Sequence, residues 1–247
     1  SAADGLSAAA FLTTGRRTPD QIGVHGTRAF MKPPVRIQRN LLAASERRLL
    51  NWLSERLPMW VTPDKMTTLG FFGAIAVGAG FAMSAFNPLW LWFAIGMFFV
   101  NWFGDSLDGS LARYRKIARP DFGYFVDHSC DALGNMAIMI GIGLTPYVRL
   151  DVALIGLAVY FLLSIHTFLA ARVVNEFNLT QLGGGPTELR LIIIAMAICM
   201  FNFGVVPIGF SRFSVYDAFI LGFSSILLVV FIVQTFILGR KLRRLGK

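Results

Sequence analysis

Between residues 105 and 131 the chain reads D-S-L-D-G-S-L-A-R, then nine residues, then G-Y-F-V-D-H-S-C-D. On a helix Asp105 and Asp108 stand three apart and Asp127 and Asp131 four apart, so each pair shares a face. Two helices joined by a short basic turn bring the pairs together. Four converging carboxylates repel and take up protons unless hard divalent cations such as Mg²⁺ or Mn²⁺ compensate them, and such ions prefer oxygen ligands. Gly109, directly after Asp108, removes a side chain where a group must approach the backbone, and Ala112 keeps that face open one turn later. A flat nucleobase or a phosphate fits there, with Arg113 placed to meet a phosphate or neutralise an aspartate.

Other residues with chemical capacity gather around the same region. The imidazole of His128 can take a proton from a hydroxyl near neutral pH, or serve as a hydrogen-bonded residue at the membrane interface. Glu188 opens a later apolar run, where it either binds a metal or cationic headgroup or rests on the helix dipole. Arg172 and Arg190 flank the same mouth and either hold an anionic headgroup or anchor helix ends by snorkelling. His166 reads as a hydrogen-bonded bundle residue, and Cys130 and Cys199 as free thiols.

The elements that position these groups follow from composition. Of 247 residues 55% are hydrophobic and only 15% charged, with a mean hydropathy of +0.61. That balance suits a chain whose solvent is lipid. Crossing about 30 Å of hydrocarbon takes roughly 20 helical residues. Six runs meet that length, near 66–86, 88–108, 122–148, 151–172, 188–207 and 215–238, with Pro, Gly or polar clusters between them. Glycines 70, 73, 78 and 80 suggest close helix packing rather than a phosphate loop. Of the 23 Lys and Arg, only Arg149 and Arg212 fall on one side of the resulting topology. Basic segments stay cytoplasmic, so both termini and the acidic ends of spans two and three are expected inside.

Three regions are expected. Residues 1–34 form a mobile N-terminal arm without the unbroken apolar core of a cleavable signal. Residues 35–58 form an amphipathic juxtamembrane helix, with leucines 41, 42, 49, 50, 53 and 57 interleaved with arginines 39, 47, 48 and 56. It lies on the bilayer surface or packs on the membrane domain. Residues 59–247 form a six-helix transmembrane catalytic domain, so the fold class is all-α membrane protein. The net charge of +9 would also suit nucleic acid in a soluble chain, a partner that a lipid-embedded chain excludes.

The pattern Asp105, Asp108, Gly109, Ala112, Arg113, Gly123, Asp127, Asp131 resembles the signature of the CDP-alcohol phosphotransferase family, with nine residues rather than about eight before the second glycine. Trp60-Val61-Thr62-Pro63-Asp64-Lys65-Met66-Thr67 resembles the W-x-A-P-N-x-x-T lead-in of choline and ethanolamine phosphotransferases, Asp64 replacing Asn. The Asp-His-Ser-Cys-Asp run is similar to their D-H-G-C-D, and Gly185-Pro186-Thr187-Glu188 to their G-P-x-E.

The resemblance implies a transferase of phospholipid biosynthesis that works with two divalent ions and releases CMP. Metal ligands would be Asp105, Asp108, Asp127 and Asp131, with Asp131 as ligand, base or both and His128 as the other candidate base. Thr67, Gly109, Ala112, Arg113 and Gly123 would border the nucleotide. Partners would be a CDP-linked alcohol, a lipid acceptor, membrane lipids and a second copy in a homodimer. Phosphocholine or phosphoethanolamine transfer to diacylglycerol is the reading the lead-in, His128 and Glu188 favour. The alternative is a CDP-diacylglycerol enzyme acting on inositol phosphate, glycerol phosphate or serine. A divalent cation transporter would also bury aspartates, but near the bilayer midplane and without Gly109, Ala112 and Arg113 at fixed offsets.

Overall fold

In a computed structural model, residues 35–37, 43–174, 176–178, 186–209 and 213–246 are described. The elements are β1 (Val35–Ile37), α1 (Ala43–Arg56), α2 (Pro63–Met83), α3 (Trp90–Tyr114), α4 (Pro120–Gly143), α5 (Leu150–Val174), β2 (Glu176–Asn178), α6 (Pro186–Phe203) and α7 (Val215–Leu245). The described residues are therefore mostly helical, with a three-residue parallel pairing of β1 with β2 and an isolated bridge between Pro207 and Ser214. The arm expected over 1–34 lies outside the described residues.

Local chemistry sets the helix ends. The Thr62 side chain accepts from the Lys65 amide ahead of Pro63 at the first helical position of α2, and Pro120 opens α4 in the same way. Ser214 and Asp217 cap α7 reciprocally, and the Arg149 amide donates to Asp217 Oδ1 at 2.8 Å, which ties the start of α7 to the α4–α5 turn. α3 ends at Tyr114, and Lys116, with a φ of 56°, reverses the chain just beyond it. The Arg115 guanidinium then donates to the carbonyls of Leu57, Pro58 and Val61, fastening this turn to the α1–α2 connection. Arg119 pairs with Asp64, so the residue that replaces Asn in the lead-in has a charged partner.

The juxtamembrane helix begins later than expected. Val35 and Ile37 form strand β1 and the helix is described from Ala43. The β-branched residue types at 35 and 37 favour extended backbone there. Leu50 of α1 joins Val61, Met66, Leu107 and Leu111 in a buried cluster, with Leu53 and Leu57 packed against it. Glu46 accepts from Trp102 at 2.8 Å, Ser106 at 3.3 Å and Thr187 at 3.1 Å. α1 thus packs on α3 and reaches the start of α6, while Leu49 and Trp52 stay exposed.

Six helices of 18 to 31 residues follow α1, close to the six apolar runs. α2, α5, α6 and α7 are long and apolar enough to cross a membrane. With the exposed large apolar side chains they carry, they make this an integral membrane protein. α3 and α4, of 25 and 24 residues, carry the acidic motif, which lowers their mean hydropathy. The main core joins Phe81, Phe98, Leu91, Ile142, Val152 and Met200 from α2 to α6, with Phe81 and Phe98 edge to face at 6.4 Å.

Glycines let α2 lie directly on α3 and α4. A Cβ on Gly104 would come within 2.6 Å of Gly70 Cα, one on Gly73 within 2.8 Å of the Asn101 amide, and one on Gly78 would strike the Ala137 carbonyl. The close-packing reading of the glycine faces therefore holds at these positions. Gly104→Ala is expected to lower stability by about 1–3 kcal/mol, because the obstructing atoms are backbone and have no rotamer to yield. A detergent melting temperature equal to that of the unmodified chain would refute this.

Candidate active site

α3 and α4 both pack on α2, and the ends that carry the acidic motif turn their carboxylates toward one another. One carboxylate oxygen each from Asp105, Asp127 and Asp131 lies within 4.8 Å of the others. They line an open hollow together with Thr67, Gly70, Asn101, Cys130, Asn135 and Arg190. Three carboxylates at this spacing form an all-oxygen donor set of the kind hard divalent cations prefer. The sequence pattern thus converges in space.

Arg190 enters this hollow from α6. Its guanidinium pairs with Asp105, and its Nε donates to Asn101 Oδ1 at 3.0 Å. Asn101 in turn donates to the Gly70 carbonyl at 2.9 Å. One cation and one amide therefore link α6, α3 and α2 behind the carboxylates. Snorkelling to a headgroup layer does not describe Arg190, since the side chains of Arg190 and Asp105 are only 15% and 19% exposed.

Asp108 stands apart from the triplet. It is buried, accepts from Thr67 Oγ1 at 2.6 Å, and also accepts from the Gly109 amide. Thr67 lies on the wall of the hollow and so connects the lead-in segment to the motif. Thr67→Val keeps the shape and removes the donor. A hydrogen bond to a charged group contributes about 1.5–3 kcal/mol, so turnover is expected to fall roughly ten- to a hundredfold with little change in melting temperature. Unchanged turnover would exclude the link.

Gly109 and Gly123 differ from the packing glycines. A Cβ on Gly109 would meet only the Arg113 side chain, at 3.2 Å, and one on Gly123 would meet nothing within 4 Å. Arg113 folds back over Gly109 and donates to Ser110 Oγ at 3.2 Å. Among the described residues, space rather than helix contact surrounds these two positions.

His128 lies beside the triplet. Its Nδ1 donates to the Tyr124 carbonyl at 2.8 Å and stands 3.7 Å from Asp127 Oδ2. The ring packs 4.2 Å from Tyr124 and 5.1 Å from Phe168 between centroids. The Tyr124 carbonyl holds the hydrogen on Nδ1, leaving Nε2 as the basic nitrogen. Glu188 sits in the first turn of α6 and Arg172 in the last turn of α5. Gly109, Ala112, Arg113, Gly123, His128, Arg172 and Glu188 are not among the residues lining the hollow.

Sequence reasoning overlooked Asn101 and Asn135. Asn101 precedes Asp105 by four positions on the same helix and Asn135 follows Asp131 by four, so an amide one turn from each acid was the available signal. Of the other expectations, His166 meets Thr235 Oγ1 at 3.1 Å, and Cys130 and Cys199 are free thiols.

Packed membrane helices, two of which bring carboxylates to one hollow, define a lipid-embedded protein with an acidic, oxygen-rich site. The CDP-alcohol phosphatidyltransferase profile matches residues 60–237, and the chain belongs to that family. It is 27% identical over 161 residues to cholinephosphotransferase 1 of Danio rerio, covering 59% of this chain and 40% of that one. It is 38% identical over 85 residues to a phosphatidylinositol phosphate synthase of Cutibacterium acnes, covering 34% and 38%. An archaetidylinositol phosphate synthase of Pyrococcus horikoshii is 30% identical over 143 residues, covering 58% and 71%. The chain thus spans about two fifths of the first two relatives and most of the third.

Proposed function

We propose that this protein transfers a phosphoalcohol group, phosphocholine or phosphoethanolamine, from a CDP-linked donor to a lipid hydroxyl such as that of diacylglycerol, with release of CMP. The observation that carries this reading is the meeting of Asp105, Asp127 and Asp131 at a hollow also lined by Arg190 and by Thr67, which donates to Asp108. Two magnesium or manganese ions bound there would draw negative charge away from the phosphorus under attack.

In this reading Asp105, Asp127 and Asp131 grip the ions, while Asp108 either joins them or is oriented by Thr67 toward the donor. Gly109, Ala112 and Gly123 leave room for the nucleotide, and Arg113 meets its phosphates. The bond between acceptor oxygen and phosphorus forms as the bond from phosphorus to the bridging oxygen breaks. CMP leaves with that oxygen, and the acceptor proton passes to Asp131 or to Nε2 of His128. Glu188 and Arg172, at the ends of α6 and α5, serve the headgroup. α3 and α4 complete six membrane spans, α1 lies at the inner interface, and both termini and the site face the cytoplasm. Assembly as a homodimer belongs to the same reading.

The inositol phosphate synthases among the relatives favour a second reading, in which CDP-diacylglycerol is the donor and a soluble alcohol the acceptor. Purified protein supplied with Mg²⁺ or Mn²⁺ and a cross of CDP-choline, CDP-ethanolamine and CDP-diacylglycerol against diacylglycerol, inositol phosphate, glycerol phosphate and serine separates the two. Release of CMP from a CDP-aminoalcohol with diacylglycerol supports the first. Release from CDP-diacylglycerol alone replaces it with the second, and release from none rejects both.

A further inference from the structure

Glu46, in the first turn of α1, makes a set of contacts that the reaction does not explain. Its Oε1 accepts from the Trp102 indole at 2.8 Å, from Ser106 Oγ at 3.3 Å and from Thr187 Oγ1 at 3.1 Å. Trp102 and Ser106 are four apart and share a face of α3. Asn101 and Asp105, each one position earlier, share the neighbouring face that lines the acidic hollow. Thr187 precedes Arg190 by three positions on α6, so the two lie on one side of that helix. α6 is therefore tied to α3 at two points. At the hollow, Arg190 pairs with Asp105 and donates to Asn101. On the side of α1, Glu46 ties Thr187 to Trp102 and Ser106.

The two ties respond differently to a divalent ion. A cation drawn to Asp105, Asp127 and Asp131 competes with the guanidinium for Asp105 and repels it, so the tie at the hollow weakens as the site fills. The three donors to Glu46 are neutral, and the tie on the far side persists. We propose that Glu46 is a positioning residue: through Thr187 it holds the start of α6 against α3, and so keeps Arg190 beside the carboxylates once divalent ions have displaced its guanidinium from Asp105. This role rests on the transferase reading above and adds a residue that acts on the site from outside it. A positive charge kept in place near the reacting phosphates needs no reorganisation as negative charge develops. Misplacing such a group by about 1 Å is enough to slow turnover as much as a hundredfold.

The test uses the whole chain in detergent as wild type, Glu46→Ala, Glu46→Gln and Thr187→Val. CMP release is measured with CDP-choline and dioleoylglycerol and with CDP-diacylglycerol and inositol phosphate, and hydrogen exchange at the amides of residues 190–193 is followed in EDTA and in Mg²⁺. Glu46→Ala is expected to lower kcat about ten- to thirtyfold while KM for the CDP-linked donor changes less than about twofold. Glu46→Gln keeps an accepting oxygen without its charge and should restore turnover to within about threefold of wild type. Thr187→Val removes one donor and should lower kcat about three- to tenfold. In Glu46→Ala the amides of 190–193 should exchange at the wild-type rate in EDTA, where the Arg190–Asp105 pair holds, and roughly tenfold faster in Mg²⁺. Wild-type kcat in Glu46→Ala, or an exchange rate that does not respond to Mg²⁺, would overturn the inference and mark Glu46 as a packing contact alone. If Glu46→Ala does not fold, Thr187→Val is judged by the same two criteria. If wild type releases no CMP from either donor, the transferase reading fails, and the exchange pattern by itself decides whether Glu46 holds α6.

Discussion

Asp131→Asn is expected to reduce CMP release by at least about a thousandfold, the upper range for removing one preorganised electrostatic group at a reacting centre. The carboxylate meets Asp105 and Asp127 within 4.8 Å, and an amide of the same shape offers one neutral oxygen in place of a negative charge. Affinity for divalent ions falls with it. Folding should survive, because relieving repulsion among three acids removes a destabilising interaction. Steady-state CMP assays across a Mg²⁺ series, with a melting curve for each variant, check both halves. Wild-type turnover at saturating Mg²⁺ would exclude Asp131 from the ion site.

Arg190→Leu is expected to have the largest effect on stability, and that effect should depend on metal. The guanidinium offsets Asp105 and holds Asn101, which in turn holds the Gly70 carbonyl. Removing one partner of a largely buried ion pair leaves an uncompensated charge, at a cost of about 3–5 kcal/mol. Divalent ions compensate the same carboxylates and stabilise the folded state by mass action. The variant should therefore melt well below wild type in EDTA and recover much of the difference in Mg²⁺. Equal melting temperatures in EDTA would show that the pair contributes nothing, and a deficit that Mg²⁺ leaves untouched would show that arginine and ion act on separate groups.

Much of this arrangement was legible from spacing alone. Intervals of three and four fix which aspartates share a helix face, and a basic turn of known length brings the two faces together. Apolar runs marked all six long helices because length and hydropathy are local properties. Arg190 was less legible: whether a basic residue near a helix start reaches the headgroups or the interior depends on how α6 is rotated against α3, a tertiary quantity. Spacing placed Asp108 with Asp105, whereas the structure gathers Asp105, Asp127 and Asp131 and joins Asp108 to Thr67, 41 positions away. A helix beginning at residue 35 does not form because residues 35–37 pair with β2, a distant partner that the helical period of the leucines and arginines cannot reveal.

The glycine contacts have a consequence for how freely the sequence can drift. Where α2 touches α3 and α4 through main-chain atoms, the separation between the acid-bearing helices is set by the peptide backbone itself. Altering residues that look outward into lipid leaves that separation alone, so the membrane-facing surface can be rewritten for bilayers of different thickness or fluidity while the gap between the carboxylates keeps its calibre.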